Sequence, residues 1–176
     1  MDEDRMRLLE ERVTRLEAAG AGAAGVGGRM AGEGGLPGPA SDGDDFWALR
    51  GLKERAGELG AVLLTGSVTL PGTGYVEWQE GQLAATLLAE DWSQPAAALS
   101  ALAHPVRLLL LREILQGTQT AAQLSEHPGL GTSGQLYHHL RQLVSAGWLR
   151  SSARGHYGVP AERVVPLLVT LAAARR

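Results

Sequence analysis

A glycine-rich stretch limits which part of this chain can fold. Residues 20–44 hold ten of the 24 glycines together with Pro37 and Pro39, and they show no apolar period. Such a segment buries too little apolar surface to offset the entropy lost on ordering it. We therefore expect 20–44 to be a flexible linker.

The residues before this linker have the pattern of a short amphipathic helix. Within residues 1–19, Met6, Leu9, Val13 and Leu16 recur at spacings of 3, 4 and 3, as at the a and d positions of a coiled coil. The pattern covers fewer than three heptads, which is marginal for an isolated helix in water. Two interpretations stay open: a helix formed part of the time, and a small self-associating coiled coil.

Charge divides the chain into an acidic and a basic part. Residues 1–100 carry 8 Lys/Arg and 16 Asp/Glu, a net −8, whereas residues 101–176 carry 8 and 3, a net +5, and the two sums give −3. All five histidines lie in the basic part. This asymmetry favours a basic module that binds a polyanion, although a solvated cationic face has the same composition.

Several function classes are excluded by what the sequence lacks. The chain has no cysteine, which excludes disulfides, thiolate metal sites and a cysteine nucleophile. No apolar run approaches the roughly 18–20 residues that span a bilayer, and the first residues lack the order of a signal peptide. Paired carboxylates, a nucleophile–base set and a phosphate loop are missing from any suitable context. We expect a cytoplasmic protein that has no cofactor and is not an enzyme.

Residues 45–92 predict a helix followed by a β-hairpin. Apolar residues near one face favour a helix over 45–59. Residues 60–70 and 75–79 have strand character, and a Pro-Gly-Thr-Gly turn joins them. A lone hairpin is marginal in water, so this one should pack on a helix or on a second copy of itself. A short helix over 83–89 follows, and the segment has a predicted role in dimerisation or sensing.

Residues 93–176 predict a helical domain with a second, small hairpin. The expected elements are helices over 95–102 and 106–115, a short helix capped by Thr118 or Thr120 and running to Glu126, a helix over 132–143, strands over 148–152 and 156–159, and a last helix starting at Pro160 or Pro166. This last helix is more apolar than a solvent-facing helix should be, so it needs a partner surface.

The helix that begins at Thr132 has two faces of opposite character. Thr132 and Gln135 match a capping box, which fixes where the helix starts. Its apolar side carries Leu136, Leu140, Leu143 and Val144. The opposite side presents amide, imidazole, phenol and guanidinium groups but no carboxylate. A short helix, a tight turn and such a second helix form a helix-turn-helix, whose second helix fits the DNA major groove, about 12 Å wide.

We expect this helix to contact double-stranded DNA. The predicted contact residues are Thr132, Ser133, Gly134, Gln135, Tyr137, His138, Arg141 and Gln142, with Arg154 at the tip of the small hairpin. Arg141 is placed to grip guanine or a phosphate, and Gln135 to pair with adenine. A carboxylate here would be repelled by phosphate, so the lack of one supports the assignment.

Two motifs in this region resemble the ArsR-type winged-helix regulators. Residues 102–108, Leu-Ala-His-Pro-Val-Arg-Leu, are similar to the family's L-A-D/H-P-x-R-L opening. Residues 136–149, which include Leu-Tyr-His-His-Leu-Arg-Gln-Leu and Ala-Gly-Trp-Leu, are similar to H-H-L-x-x-L-x-x-A-G-L-V. The match spans about 96–174, somewhat under half of the chain. The resemblance implies a cytoplasmic, homodimeric transcriptional regulator.

The resemblance also implies where the dimer forms. The family builds its interface from the first and last helices of the domain, which here carry Leu99, Leu102, Val164, Leu167, Leu168 and Leu171. Its metal sensors use cysteines or clustered acid and histidine ligands, whereas residues 160–176 contain no His or Asp and only Glu162. We therefore expect no metal site.

The predicted fold is mainly α with small β elements. A winged helix-turn-helix domain over 93–176 follows the helix-plus-hairpin segment, the linker and the short N-terminal coiled coil. The alternative function is a winged-helix module for protein interaction that recruits a partner through the coiled coil or the β-hairpin.

Several side chains keep two interpretations. Arg107 and Arg112 are either phosphate clamps or members of structural salt bridges. Trp78 and Trp92 are either core anchors or walls of a ligand pocket. His104 precedes a proline and is expected to cap a helix junction.

Overall fold

The computed structural model describes residues 47–152 and 155–175, which form helices and antiparallel strands. In chain order the elements are α1 (Trp47–Lys53), β1 (Ala61–Leu70), β2 (Gly74–Leu83), α2 (Ala84–Ala89), α3 (Ser93–Leu102), α4 (Pro105–Leu115), α5 (Ala121–Ser125), a 3₁₀ turn (Pro128–Leu130), α6 (Ser133–Ser145), β3 (Arg150–Ser152), β4 (His156–Gly158) and α7 (Ala161–Ala173). The fold is mixed α and β, with the strands arranged as hairpins. The predicted coiled coil (1–19) and linker (20–44) lie outside the described residues.

β1 and β2 form the predicted long hairpin. The strands pair without interruption from Ala61 opposite Leu83 to Leu70 opposite Gly74. Gly74 closes the turn with a φ of 82°, a conformation that glycine adopts without a steric penalty. The second strand is longer than predicted, because backbone pairing continues past Gln79 even though the apolar alternation ends there. The inward side chains are Leu64, Val68, Leu70, Val76 and Trp78.

The hairpin packs on α7 of the same chain, which confirms the predicted packing on a helix. Both strands contact α7. At the closest approach, a Cβ built on Gly66 would lie 2.8 Å from Cγ1 of Val165. At the turn, the Gly72 N–H donates to the Leu115 carbonyl at 3.0 Å, and the Gln119 side chain donates to the Gly72 carbonyl. Residues Leu49–Arg176 accordingly form one compact unit.

A leucine-rich core joins the hairpin to the helices. Its fully buried side chains are Leu110, Leu111, Ile114, Leu124, Leu130, Leu136, Leu140, Leu143, Leu149, Val164, Val165 and Leu167. Burial of each such side chain contributes roughly 1.5–3 kcal/mol relative to exposure. The helices around it begin at caps: Nδ1 of His104 accepts the Val106 N–H at 3.2 Å, as predicted for this junction, and Thr120 with Gln123 forms a capping box that starts α5.

The small hairpin of β3 and β4 is attached to the helices at several points. Thr120 forms a β-bridge with His156, and the Tyr157 N–H donates to the Gln119 carbonyl at 2.7 Å. Trp148, which precedes β3 and is 4% exposed, donates from Nε1 to the Ala98 carbonyl at 2.9 Å. These contacts tie the small hairpin to α3 and to the start of α5.

Two details of the predicted fold need correction, and one of two predicted helix starts is confirmed. The helix expected over 45–59 ends at Lys53, and turns lead from there to β1. α7 begins directly after Pro160, so Pro166 lies inside the helix rather than at its start. Trp92 is no core anchor, because its side chain is 66% exposed, whereas Trp78 packs against the core as expected. Among the described helices, none is long and apolar enough to cross a membrane.

Candidate nucleic-acid interface

A tight turn joins α5 to α6. Nδ1 of His127 accepts the Gly129 N–H at 3.1 Å and starts the 3₁₀ turn. Gly131 then redirects the chain with a φ of 76°, which suits glycine. Leu124 and Leu130 are each at most 1% exposed and anchor the two ends of this connection in the core. The orientation of α6 is therefore set by buried contacts.

The apolar side of α6 faces the core, as its spacing predicted. Leu136, Leu140 and Leu143 are each at most 1% exposed. α6 contacts α3, α4 and α5 through this side. Because leucines at i, i+4 and i+7 lie on one face of a helix, the polar residues between them are directed outward.

The outer side of α6 is exposed and carries no carboxylate. Its exposed residues are Ser133, Gly134, Tyr137, His138, Arg141 and Gln142. Arg141 bonds only within its own helix, where Nε donates to the Tyr137 carbonyl at 3.3 Å. Within the described residues, the terminal guanidinium nitrogens of Arg141 and the side-chain amide of Gln142 have no protein partner. These donors are available to an external acceptor.

Gln135 is used by the helix cap. Its Oε1 accepts hydrogen bonds from the Thr132 N–H at 3.1 Å and from the Thr132 hydroxyl at 3.3 Å. A bidentate contact with adenine needs the amide oxygen as well as the amide nitrogen. The predicted pairing of Gln135 with adenine would therefore require the cap to open, although both residues are exposed at the start of α6.

Three histidine rings lie close together where α6 meets the start of α4. The His139 ring centroid is 4.6 Å from that of His104 and 5.6 Å from that of His138. Nδ1 of His139 is buried and has no hydrogen-bond partner among the described residues. Burial lowers the pKa of His139, and the nearby His104, His138 and Arg107 lower this pKa further. His139 therefore belongs to the packed side of the helix and His138 to the exposed side.

The two arginines of α4 have different partners. Arg107 donates from Nε to the Ala101 carbonyl at 2.5 Å and from Nη2 to the Ser100 carbonyl at 2.9 Å. It thus caps the last carbonyls of α3, a role that neither predicted interpretation included. Arg112 pairs with Glu113 at 2.9 Å, which confirms the salt-bridge interpretation.

Two basic side chains of the small hairpin were missed in the sequence. Arg154 and its neighbour at 153 lie outside the described residues, and so does the DNA contact predicted for Arg154 at the tip of the hairpin. Arg150 in β3 is exposed and pairs with Glu162, and exposed His156 lies in β4. Both residues line a shallow groove of about 540 Å³. The sequence signal that could have identified them is their position in the short strands directly after α6.

The predicted dimer interface is partly corrected. Leu102, Val164 and Leu167 are at most 6% exposed within the chain itself, so they have almost no surface left for a second copy. For the two α7 residues the physical reason is the long hairpin, which contacts this helix, whereas Leu102 at the end of α3 belongs to the same buried core. Of the other three, Leu99 is 52% exposed, while Leu168 and Leu171 are partly exposed.

Metal ligands and relatives add no further assignment. In the part of the chain that the structure describes, no three His, Asp or Glu side chains are grouped so that they could hold a metal ion. No protein-family model matches the chain, and no curated protein matches it. Function is therefore inferred from the geometry of α6 and its surroundings.

Proposed function

We propose that this protein is a sequence-specific transcriptional regulator that binds double-stranded DNA through a winged helix-turn-helix domain. In this proposal α5 and α6 are the helix-turn-helix, and β3 with β4 is the wing. The observation that carries the proposal is α6 itself, with leucines directed inward and an exposed, carboxylate-free row of donors directed outward. An α-helix of this kind fits the major groove and reads base edges with such donors.

The chain acts on DNA as a homodimer in this proposal. Two-fold symmetry places the two copies of α6 about 34 Å apart, one turn of DNA, on a pseudo-palindromic site. The leucines that remain accessible for such a dimer are Leu99, Leu168 and Leu171. The buried Leu102, Val164 and Leu167 have no part in it.

The first experiment enriches genomic DNA fragments on the purified full chain and then measures their affinity by fluorescence anisotropy. We expect a recovered motif with two-fold symmetry and an affinity that falls steeply between about 50 and 200 mM salt. An interaction module with an apolar interface would enrich no motif, and its partner binding would scarcely respond to salt. The absence of any enriched motif would refute the DNA-binding proposal.

The second experiment locates the contact on α6. Arg141→Ala should weaken binding to the recovered site by about 1–3 kcal/mol and relax specificity at one base position. Arg55→Ala is the matched control, because it removes the same charge from a side chain that, among the described residues, bonds to the Gly51 carbonyl in its own segment. Equal losses in the two variants would mean that only the net charge matters and that α6 does not enter the groove.

A further inference from the structure

A small pocket between α3, α4 and α6 has the composition of an anion site. It has a volume of about 310 Å³ and is lined by Ala97, Ser100, Ala101, Arg107, Gln142, Ser145 and Ala146. The alanines leave the space open, since each ends at Cβ. The remaining side chains bring a guanidinium, an amide and two hydroxyls. The Ser145 hydroxyl already donates to the Gln142 carbonyl at 3.0 Å, which leaves the other three groups as hydrogen-bond donors for a ligand.

Arg107 supplies a positive charge that the protein does not neutralise. Its two hydrogen bonds go to backbone carbonyls at the end of α3, and no carboxylate pairs with it among the described residues. These bonds also hold the guanidinium in one orientation. The third nitrogen, Nη1, has no protein partner in the described part of the chain.

The titratable neighbours of Arg107 on this side are basic rather than acidic. His104, His138 and His139 lie close together on the α4 and α6 side, and Arg107 acts on the same group electrostatically. The charged and titratable groups acting on His139 are all of the basic type. A bound anion would offset the charge of Arg107 and relieve its repulsion of a protonated histidine.

We propose that this pocket binds a small oxyanion, a phosphate or carboxylate group, with Arg107 as its counter-charge and Gln142 and Ser100 as hydrogen-bond donors. The volume is at the lower end of the range for small-molecule sites, so the ligand is metabolite-sized or smaller. The site does not depend on the DNA-binding proposal. It shares Gln142 with the outer side of α6, so an occupied pocket changes the position of one donor on that surface.

The test is a titration of the full chain with inorganic phosphate, followed by NMR amide shifts at constant ionic strength. We expect saturable shifts at the residues that line the pocket. Ala97→Glu places a carboxylate in the pocket beside Arg107 and should weaken phosphate binding by roughly tenfold or more, the effect of losing a charge-assisted hydrogen bond. Ala96→Glu is the matched control, an exposed neighbour on α3 outside the pocket, and should bind phosphate like the unmodified chain.

Three results would overturn the proposal: shifts that sodium chloride reproduces, shifts that do not saturate, or equal losses in the two glutamate variants. Ala97→Leu, which fills the pocket without adding charge, should also abolish the shifts, and the amide spectrum of each variant without phosphate shows that the chain is folded. A second arm repeats the titration with duplex DNA present. Unchanged phosphate affinity assigns the site to a free small molecule, and competition assigns it to a phosphate of the DNA backbone. If the chain binds phosphate but does not bind DNA, only the proposed function is refuted.

Discussion

The contact between Gly66 and Val165 makes the sharpest test of how the long hairpin is held. A methyl group added at Gly66 would lie 2.8 Å from Cγ1 and 3.1 Å from Cγ2 of Val165, and Val165 is only 2% exposed. Overpacking of this kind costs about 1–3 kcal/mol. Replacing glycine also restricts the unfolded chain, which offsets about 0.4–1 kcal/mol. We therefore expect Gly66→Ala to lower the free energy of unfolding by about 1–2 kcal/mol.

The assay is urea unfolding followed by circular dichroism, with Gly81→Ala as the matched control. Gly81 lies in the opposite strand, and a Cβ there would meet nothing closer than 3.8 Å, an ordinary contact. This control variant should be neutral or slightly stabilising. A drop of the expected size in Gly66→Ala corresponds to about 3–7 °C in Tm for a unit of this length.

A double-mutant cycle identifies the contact as the cause. Val165→Ala alone removes two buried methyl groups and should cost about 2 kcal/mol. In the double variant the new methyl at position 66 occupies part of the vacated space, so the combined cost should be smaller than the sum by about 1 kcal/mol or more. Strictly additive effects, or a neutral Gly66→Ala, would refute the packing of the hairpin on α7.

Other side chains give further expected outcomes. Folding lowers the pKa of His139, so the unfolded chain binds more protons than the folded chain. The contribution of His139 to stability is therefore full above about pH 6.5 and falls as the pH drops below this value. His139→Phe should flatten this pH dependence in urea midpoints measured from pH 7.5 to 5. Trp148→Phe removes the 2.9 Å hydrogen bond to the Ala98 carbonyl and should cost about 2–3 kcal/mol by the same assay, while an effect below about 0.5 kcal/mol would contradict that role. Gly72→Ala would place a Cβ 2.2 Å from the Ile114 carbonyl oxygen and should cost about 3 kcal/mol, visible as a lower Tm.

Local patterns predicted much of the fold because their causes are local. Periodicity placed the helices from α2 to α6, and the Pro-Gly-Thr-Gly turn placed the long hairpin. The capping residues were found for the same reason, since a cap joins groups three residues apart. The exposed and buried sides of α6 followed from helix geometry and the spacing of its leucines.

Contacts between distant residues were harder to foresee. The apolar side of α7 was expected to meet a second copy of the chain, but the long hairpin covers it. The closest contact in this packing joins Gly66 and Val165, which are about a hundred positions apart in the sequence. The capping of α3 by Arg107 likewise depends on how α3 and α4 meet. In the candidate site, single side chains were predicted and the shared pocket behind them was not, because a cavity depends on three packed helices together.

The cover that β1 and β2 provide for α7 decides how this protein can be shortened. A fragment starting at Ser93 would keep every segment of the helix-turn-helix, but Val165 and its apolar neighbours on α7 would become exposed to solvent. Such a fragment should precipitate or self-associate on expression. A truncation that ends before Ala61 keeps the cover that β1 and β2 provide. We therefore expect the smallest fragment that does not aggregate to include both strands.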